Sequence, residues 1–143
     1  MGRILALDIG RKRTGIAVSD PLNIIANGLE TVPTYKLYDF IAEYFKKEKV
    51  DIIVIGYPKQ MNNQPSDAVV YIDPVINRIK KLFPDYKIEL VDERYTSKIA
   101  FQTMIDGGLK KKDRQNKALV DTISATIILQ SYMESRNFNK LFL

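Results

Sequence analysis

The chain opens on an apolar run, Ile4 to Ile9, broken only by Asp8, which is the pattern of a buried central strand. Thr14 to Ser19 reads as its antiparallel partner, with Gly10 and Gly15 bracketing a tight turn. Ile24 to Val32 reads as a third strand, punctuated by Pro21 and Pro33. The period then changes. Leu37, Phe40, Ile41, Tyr44 and Phe45 fall at helical spacing, and Lys46, Lys47, Glu48 and Lys49 close that helix. Asp51 to Gly56 is a short apolar strand, so the helix before it predicts a crossover into a parallel neighbour. Tyr57 to Pro65 is polar and reads as a loop. Ala68, Ile72, Val75, Ile76, Ile79, Leu82 and Phe83 form a second helical stripe. Pro74 inside it predicts either a kink or a new helix capped by Asp73. Lys87 to Val91 is a fifth strand that delivers Asp92, Glu93 and Arg94 to its end. Ser97 to Ile105 predicts a short helix stopped by Gly107 and Gly108, and Leu109 to Asn116 a basic loop. Lys117 to Met133 is a long helix, and the stretch from Glu134 onward reads as a mixed tail.

A meander followed by helix-crossover strands is the plan of an α/β, ribonuclease-H-like domain: a mixed five-stranded sheet flanked by helices. With 143 residues and no linker or repeat, residues 1–143 are expected to form one domain. No apolar run approaches membrane-spanning length, and the N-terminus leads straight into a strand, so a cytoplasmic protein with no membrane partner is expected.

Composition narrows the chemistry. There is no cysteine and no histidine, which removes thiol nucleophiles, thiolate zinc sites and any Ser-His-Asp triad. Catalysis would rest on carboxylates, lysine, tyrosine or a metal held by oxygen ligands, a donor set that suits Mg2+ or Mn2+. Three acids stand where stability alone would not favour them. Asp8 lies near the end of the first strand, Glu93 just past the end of the fifth, and Asp121 in a long, mostly apolar helix. Sites in open α/β sheets form outside the carboxyl ends of strands, where Asp8 and Glu93 lie and where a helix packed across the edge would bring Asp121. Three converging carboxylates need a divalent cation or a shared proton. One or two magnesium ions so held can activate water and stabilise the leaving oxygen of a phosphodiester, at a metal separation of roughly 3.5–4 Å. Each acid alone has a blander reading. Asp8 could cap the following turn, Glu93 could pair with Arg94, and Asp121 could pair with Lys117 one turn earlier.

Four motifs carry a family resemblance. Asp8-Ile-Gly-Arg-Lys-Arg-Thr-Gly-Ile-Ala17, Gly56-Tyr-Pro58, Asp92-Glu-Arg-Tyr-Thr-Ser97 with Ala100, and Val120-Asp-Thr-Ile-Ser-Ala125 with Ile128-Leu-Gln-Ser-Tyr132 resemble the YqgF family in order and spacing. These are pre-16S rRNA nucleases, also described as Holliday-junction-resolvase-like proteins. The resemblance implies a ribonuclease-H-like fold and a metal-dependent endonuclease with Asp8, Glu93 and Asp121 as its catalytic and metal-binding triad. The sequence departs from the pattern after Pro58, where Lys59-Gln-Met-Asn-Asn63 stands in place of Asn-Met-Asp-Gly or similar. Related resolvases also carry a fourth acid at the position held here by Ala118.

The net charge is +5, and its placement matters more than its size. Arg11, Lys12 and Arg13 follow Asp8, and Lys110, Lys111, Lys112, Arg114 and Lys117 crowd the stretch before Asp121. Positive charge at both edges of an acidic cleft predicts phosphate contact, although such runs are often solvated faces. Arg94 is read as a further phosphate ligand. The expected function is hydrolysis of RNA phosphodiesters in processing the 5′ end of pre-16S rRNA during ribosome biogenesis, with the ribosome as a possible partner. Cleavage of branched DNA as a Holliday junction resolvase and a non-catalytic nucleic-acid-binding module are the alternatives. A sugar-kinase-like phosphate hairpin is weaker, because those proteins place the nucleotide between two such domains. The oligomeric state is left open.

Overall fold

Strands β1 (Arg3–Ile9), β2 (Arg13–Ser19), β3 (Ala26–Pro33), β4 (Val50–Tyr57) and β5 (Lys87–Asp92) build one sheet in the order β3-β2-β1-β4-β5. The computed structural model describes residues 2–58, 67–92 and 116–142. β1, β2 and β3 pair antiparallel, whereas β4 joins β1, and β5 joins β4, in parallel. The crossovers run through helices α1 (Leu37–Lys47) and α2 (Val69–Leu82), and α3 (Lys117–Phe142) closes the described fold. The predicted meander, both crossovers and the five strands are all present.

Strand alternation sorts the core into two layers. Leu5, Leu7, Ile9, Ile16, Val18, Ile53 and Ile55 pack against Leu37 and Ile41 of α1 and Ile72, Ile76 and Ile79 of α2. Ile4, Ala6, Ala17, Ile52 and Val54 face the other way, onto Ala125, Ile128, Leu129 and Met133 of α3. Asp8 continues the Ile4-Ala6 series and therefore lies on the α3 face. Gly15 continues the Ala17 series and lies on that face too.

Several element boundaries differ from the sequence expectation. β3 begins at Ala26 rather than Ile24, because Asp20 diverts the preceding backbone. Its carboxylate accepts the amides of Ile24 at 2.6 Å, Ile25 at 2.7 Å and Leu22 at 3.1 Å. Those amide bonds, Ile25 foremost, hold the Asp20 carboxyl below its ordinary value. Pro74 does not start a new helix: α2 runs through it. Asp73 does not cap a helix; it accepts the Tyr57 hydroxyl at 2.8 Å. α3 begins where predicted, with the Asn116 side chain accepting the amides of Ala118 at 3.1 Å and Leu119 at 3.3 Å as an N-cap. It continues to Phe142, so the stretch read as a tail is helical up to there. The predicted helix over Ser97 to Ile105 and nearly all of the basic loop before Asn116 lie outside the described residues.

Candidate catalytic site and nucleic-acid interface

The carboxyl ends of β1, β4 and β5 open on one edge of the sheet, which brings Asp8, Gly56, Tyr57 and Asp92 to that edge. What places Asp121 there is a glycine. A Cβ built on Gly15 would lie 2.0 Å from the Asp121 carbonyl oxygen, so the first turns of α3 rest directly on the β2 backbone. At Gly28 of β3 a Cβ would meet the Thr122 methyl at 2.6 Å. Thr31 of β3 fixes the same turn, its hydroxyl donating to the Ala118 carbonyl at 2.7 Å and lying 2.6 Å from the Thr122 hydroxyl. Gly15 is the β2 residue directly opposite Asp8. Asp8 and Asp121 thus stand on the same face of the sheet, on either side of a residue with no side chain. Ser124, one turn further along α3, is fully buried, and its hydroxyl has no hydrogen-bond partner in the structure. Its small side chain keeps this part of the helix close to the sheet.

Asp121 is compensated from across the molecule. Arg13 Nε donates to Asp121 Oδ2 at 2.9 Å, with the two side chains 40% and 24% exposed. Lys117, the neighbour suggested by helical spacing, is exposed. Arg13 points to this face because it continues the Gly15-Ala17 series of β2.

The basic turn between β1 and β2 is a built element. The Gly10 amide donates to the Arg13 carbonyl at 2.8 Å and closes it. Thr34, after β3, grips it from outside. Its hydroxyl donates to the Gly10 carbonyl at 2.7 Å and lies 3.0 Å from the Thr14 hydroxyl, and its amide donates to the Lys12 carbonyl at 2.9 Å. Arg11 and Lys12 are exposed at the tip, and the Arg11 guanidinium sits 5.2 Å above the Tyr71 ring. The sequence does not single out Thr34, and it presents Gly15 as a turn residue and a motif position. A threonine just past Pro33 and a glycine in mid-strand were the available signals, and neither shows in the sequence what it touches.

Of the predicted site residues, the structure brings together Asp8, Arg13 and Asp121, with Arg11 and Lys12 on the adjoining turn and Lys117 at the start of α3. Glu93, Arg94, Lys110, Lys111, Lys112 and Arg114 lie outside the described residues. Among the described residues no group of three or more metal-ligating side chains gathers. The two carboxylates are nevertheless hard oxygen donors beside a cationic turn. That chemistry fits Mg2+ or Mn2+ and would not suit a soft metal.

Sheet order, crossovers and the α3 packing define a ribonuclease-H-like domain. The same fold is seen in T. thermophilus RuvC in complex with Holliday junction substrate, with a TM-score of 0.57 over 95% of this chain and 96% of that one, at 14% identity. The chain belongs to the RuvX family, whose model, described as Holliday junction resolvase, matches residues 2–135. This is the family, under its other name YqgF, that the four motifs resemble. The chain is 63% identical over 138 residues to a protein of Phocaeicola vulgatus named "Putative pre-16S rRNA nuclease", covering 96% of this chain and 99% of the relative. A protein of the same name from Flavobacterium johnsoniae is 57% identical over 138 residues, covering 96% of this chain and 100% of the relative. Among the described residues no helix is long and apolar enough to cross a membrane.

Proposed function

We propose that residues 1–143 form one metal-dependent endonuclease domain that hydrolyses RNA phosphodiester bonds in the cytoplasm and trims the 5′ end of pre-16S rRNA. The observation that carries this reading is the placement of Asp8 and Asp121 on either side of Gly15, at the carboxyl edge of the sheet and beside a clamped basic turn. The names of relatives 57–63% identical point to the same substrate. Asp8, Asp121 and Glu93, the residue that follows the last one of β5, would hold Mg2+ or Mn2+. When bound, such an ion neutralises charge on the phosphate and makes a water more acidic. Arg11 and Lys12 hold the strand by its phosphates, with Arg94, Lys110, Lys111, Lys112, Arg114 and Lys117 as further contacts. Branched DNA is the second reading, favoured by the family's description as a resolvase and by the RuvC-like fold.

The test is cleavage of precursor 16S rRNA and of a four-way DNA junction, with and without Mn2+, by wild type, Asp8→Asn and Asp121→Asn. Manganese-dependent cutting of the rRNA is expected, falling at least about a hundredfold in either variant while both still bind RNA. Cutting of the junction alone would transfer the assignment to the second reading. Full activity in Asp8→Asn and Asp121→Asn would remove these residues from the site.

A further inference from the structure

The sequence groups Arg13 with Arg11 and Lys12 as phosphate contacts, yet its Nε is hydrogen-bonded to Asp121 Oδ2 at 2.9 Å. The arrangement is specific. Arg13 is on the β2 face that looks at α3, and α3 rests against Gly15, two residues along that face. The pair is only partly exposed, so water screens it incompletely.

We propose that Arg13 is the internal counter-ion of the metal site: it pairs with Asp121 and yields it when a divalent cation binds. This rests on the reading of Asp121 as a metal ligand. The physical reason is competition. A guanidinium and a divalent cation drawn to the same carboxylate would repel each other and compete for its charge. The released guanidinium still carries five donors in a fork that matches phosphate, beside a turn that already offers Arg11 and Lys12. Metal entry and the presentation of a phosphate-binding arginine are thereby coupled. Coupling of this kind is reciprocal, so a phosphate that draws Arg13 away also tightens the metal site. Arg13 is accordingly a positioning residue for Asp121.

Calorimetric titration of Mn2+ into nucleic-acid-free wild type, Arg13→Gln, Arg13→Lys and Asp121→Asn tests this without measuring activity. Arg13→Gln removes the competing charge and should tighten Mn2+ binding by roughly tenfold, a figure held down by the partial exposure of the pair. Arg13→Lys keeps the charge and should stay near wild type, which an effect of altered packing would not produce. Unchanged or weaker Mn2+ binding in Arg13→Gln, with Asp121→Asn still abolishing it, overturns the counter-ion role and leaves the metal site standing. Binding that survives in Asp121→Asn, or none in wild type, overturns the metal site and the counter-ion role together. Should Arg13→Gln fail to fold, the Arg13 Nε–H resonance of wild type decides. It should move on Mg2+ addition toward its position in Asp121→Asn, and a resonance that stays in place overturns the proposal.

Discussion

Gly15 has the tightest steric requirement in the described site. Its absent side chain lets the Asp121 carbonyl approach to where a Cβ would sit 2.0 Å away, on the strand residue that pairs with Asp8. Even one added carbon at such a contact forces the helix outward, since packed interiors relax only partly. Gly15→Ala is expected to lower stability by about 1–3 kcal/mol in urea unfolding. Activity should fall further than that loss explains, because a displacement of about 1 Å can cost on the order of a hundredfold in rate. An Ala variant with wild-type stability and turnover would show that α3 does not depend on this seat.

Among the elements, the β1–β2 turn departs most from the picture of a solvated charge run. Four backbone groups are taken up: the Gly10 amide and the Arg13 carbonyl bond to each other, and Thr34 on the segment after β3 takes the Gly10 and Lys12 carbonyls. The Thr34 hydroxyl also pairs with the fully buried Thr14. Thr34→Val keeps the shape and the amide bond to Lys12 but leaves the Gly10 carbonyl and the Thr14 hydroxyl short of a partner, at a cost of about 1–3 kcal/mol. RNA affinity measured by fluorescence anisotropy should fall several-fold as Arg11 and Lys12 lose their fixed positions, with Mn2+ affinity unchanged. Equal losses in both would place Thr34 in the support of the whole site and not of the turn alone.

For the molecule as a whole, a net charge of +5 says little until the charges are located. The described cations at the site edge are Arg11 and Lys12, exposed on the turn, and Lys117, exposed at the start of α3. If Arg11 and Lys12 each neutralise one phosphate of a single strand, the double variant Arg11→Ala/Lys12→Ala should reduce the slope of log affinity against log salt by about 1.4. A slope that does not change would mean that the strand runs along another surface.

The layers were legible in the order of residues. Alternation and helical spacing are local properties, so the five strands, both crossovers and the long final helix could be read from the order of apolar residues. The sequence also marked Asp8 and Asp121, because a lone carboxylate in an apolar run is costly unless something compensates it. The compensating group was beyond its reach. Helical spacing offers Lys117 to Asp121, whereas the partner is Arg13, 108 residues away in the chain. Local pattern likewise extended β3 to Ile24, which the Asp20 carboxylate prevents by taking the amides of Ile24 and Ile25. Only the folded chain shows that Gly15 is the seat of a helix and that Thr34 holds the basic turn. Each of these depends on contacts between residues distant in sequence, and such contacts exist only once the sheet has fixed which faces look at one another.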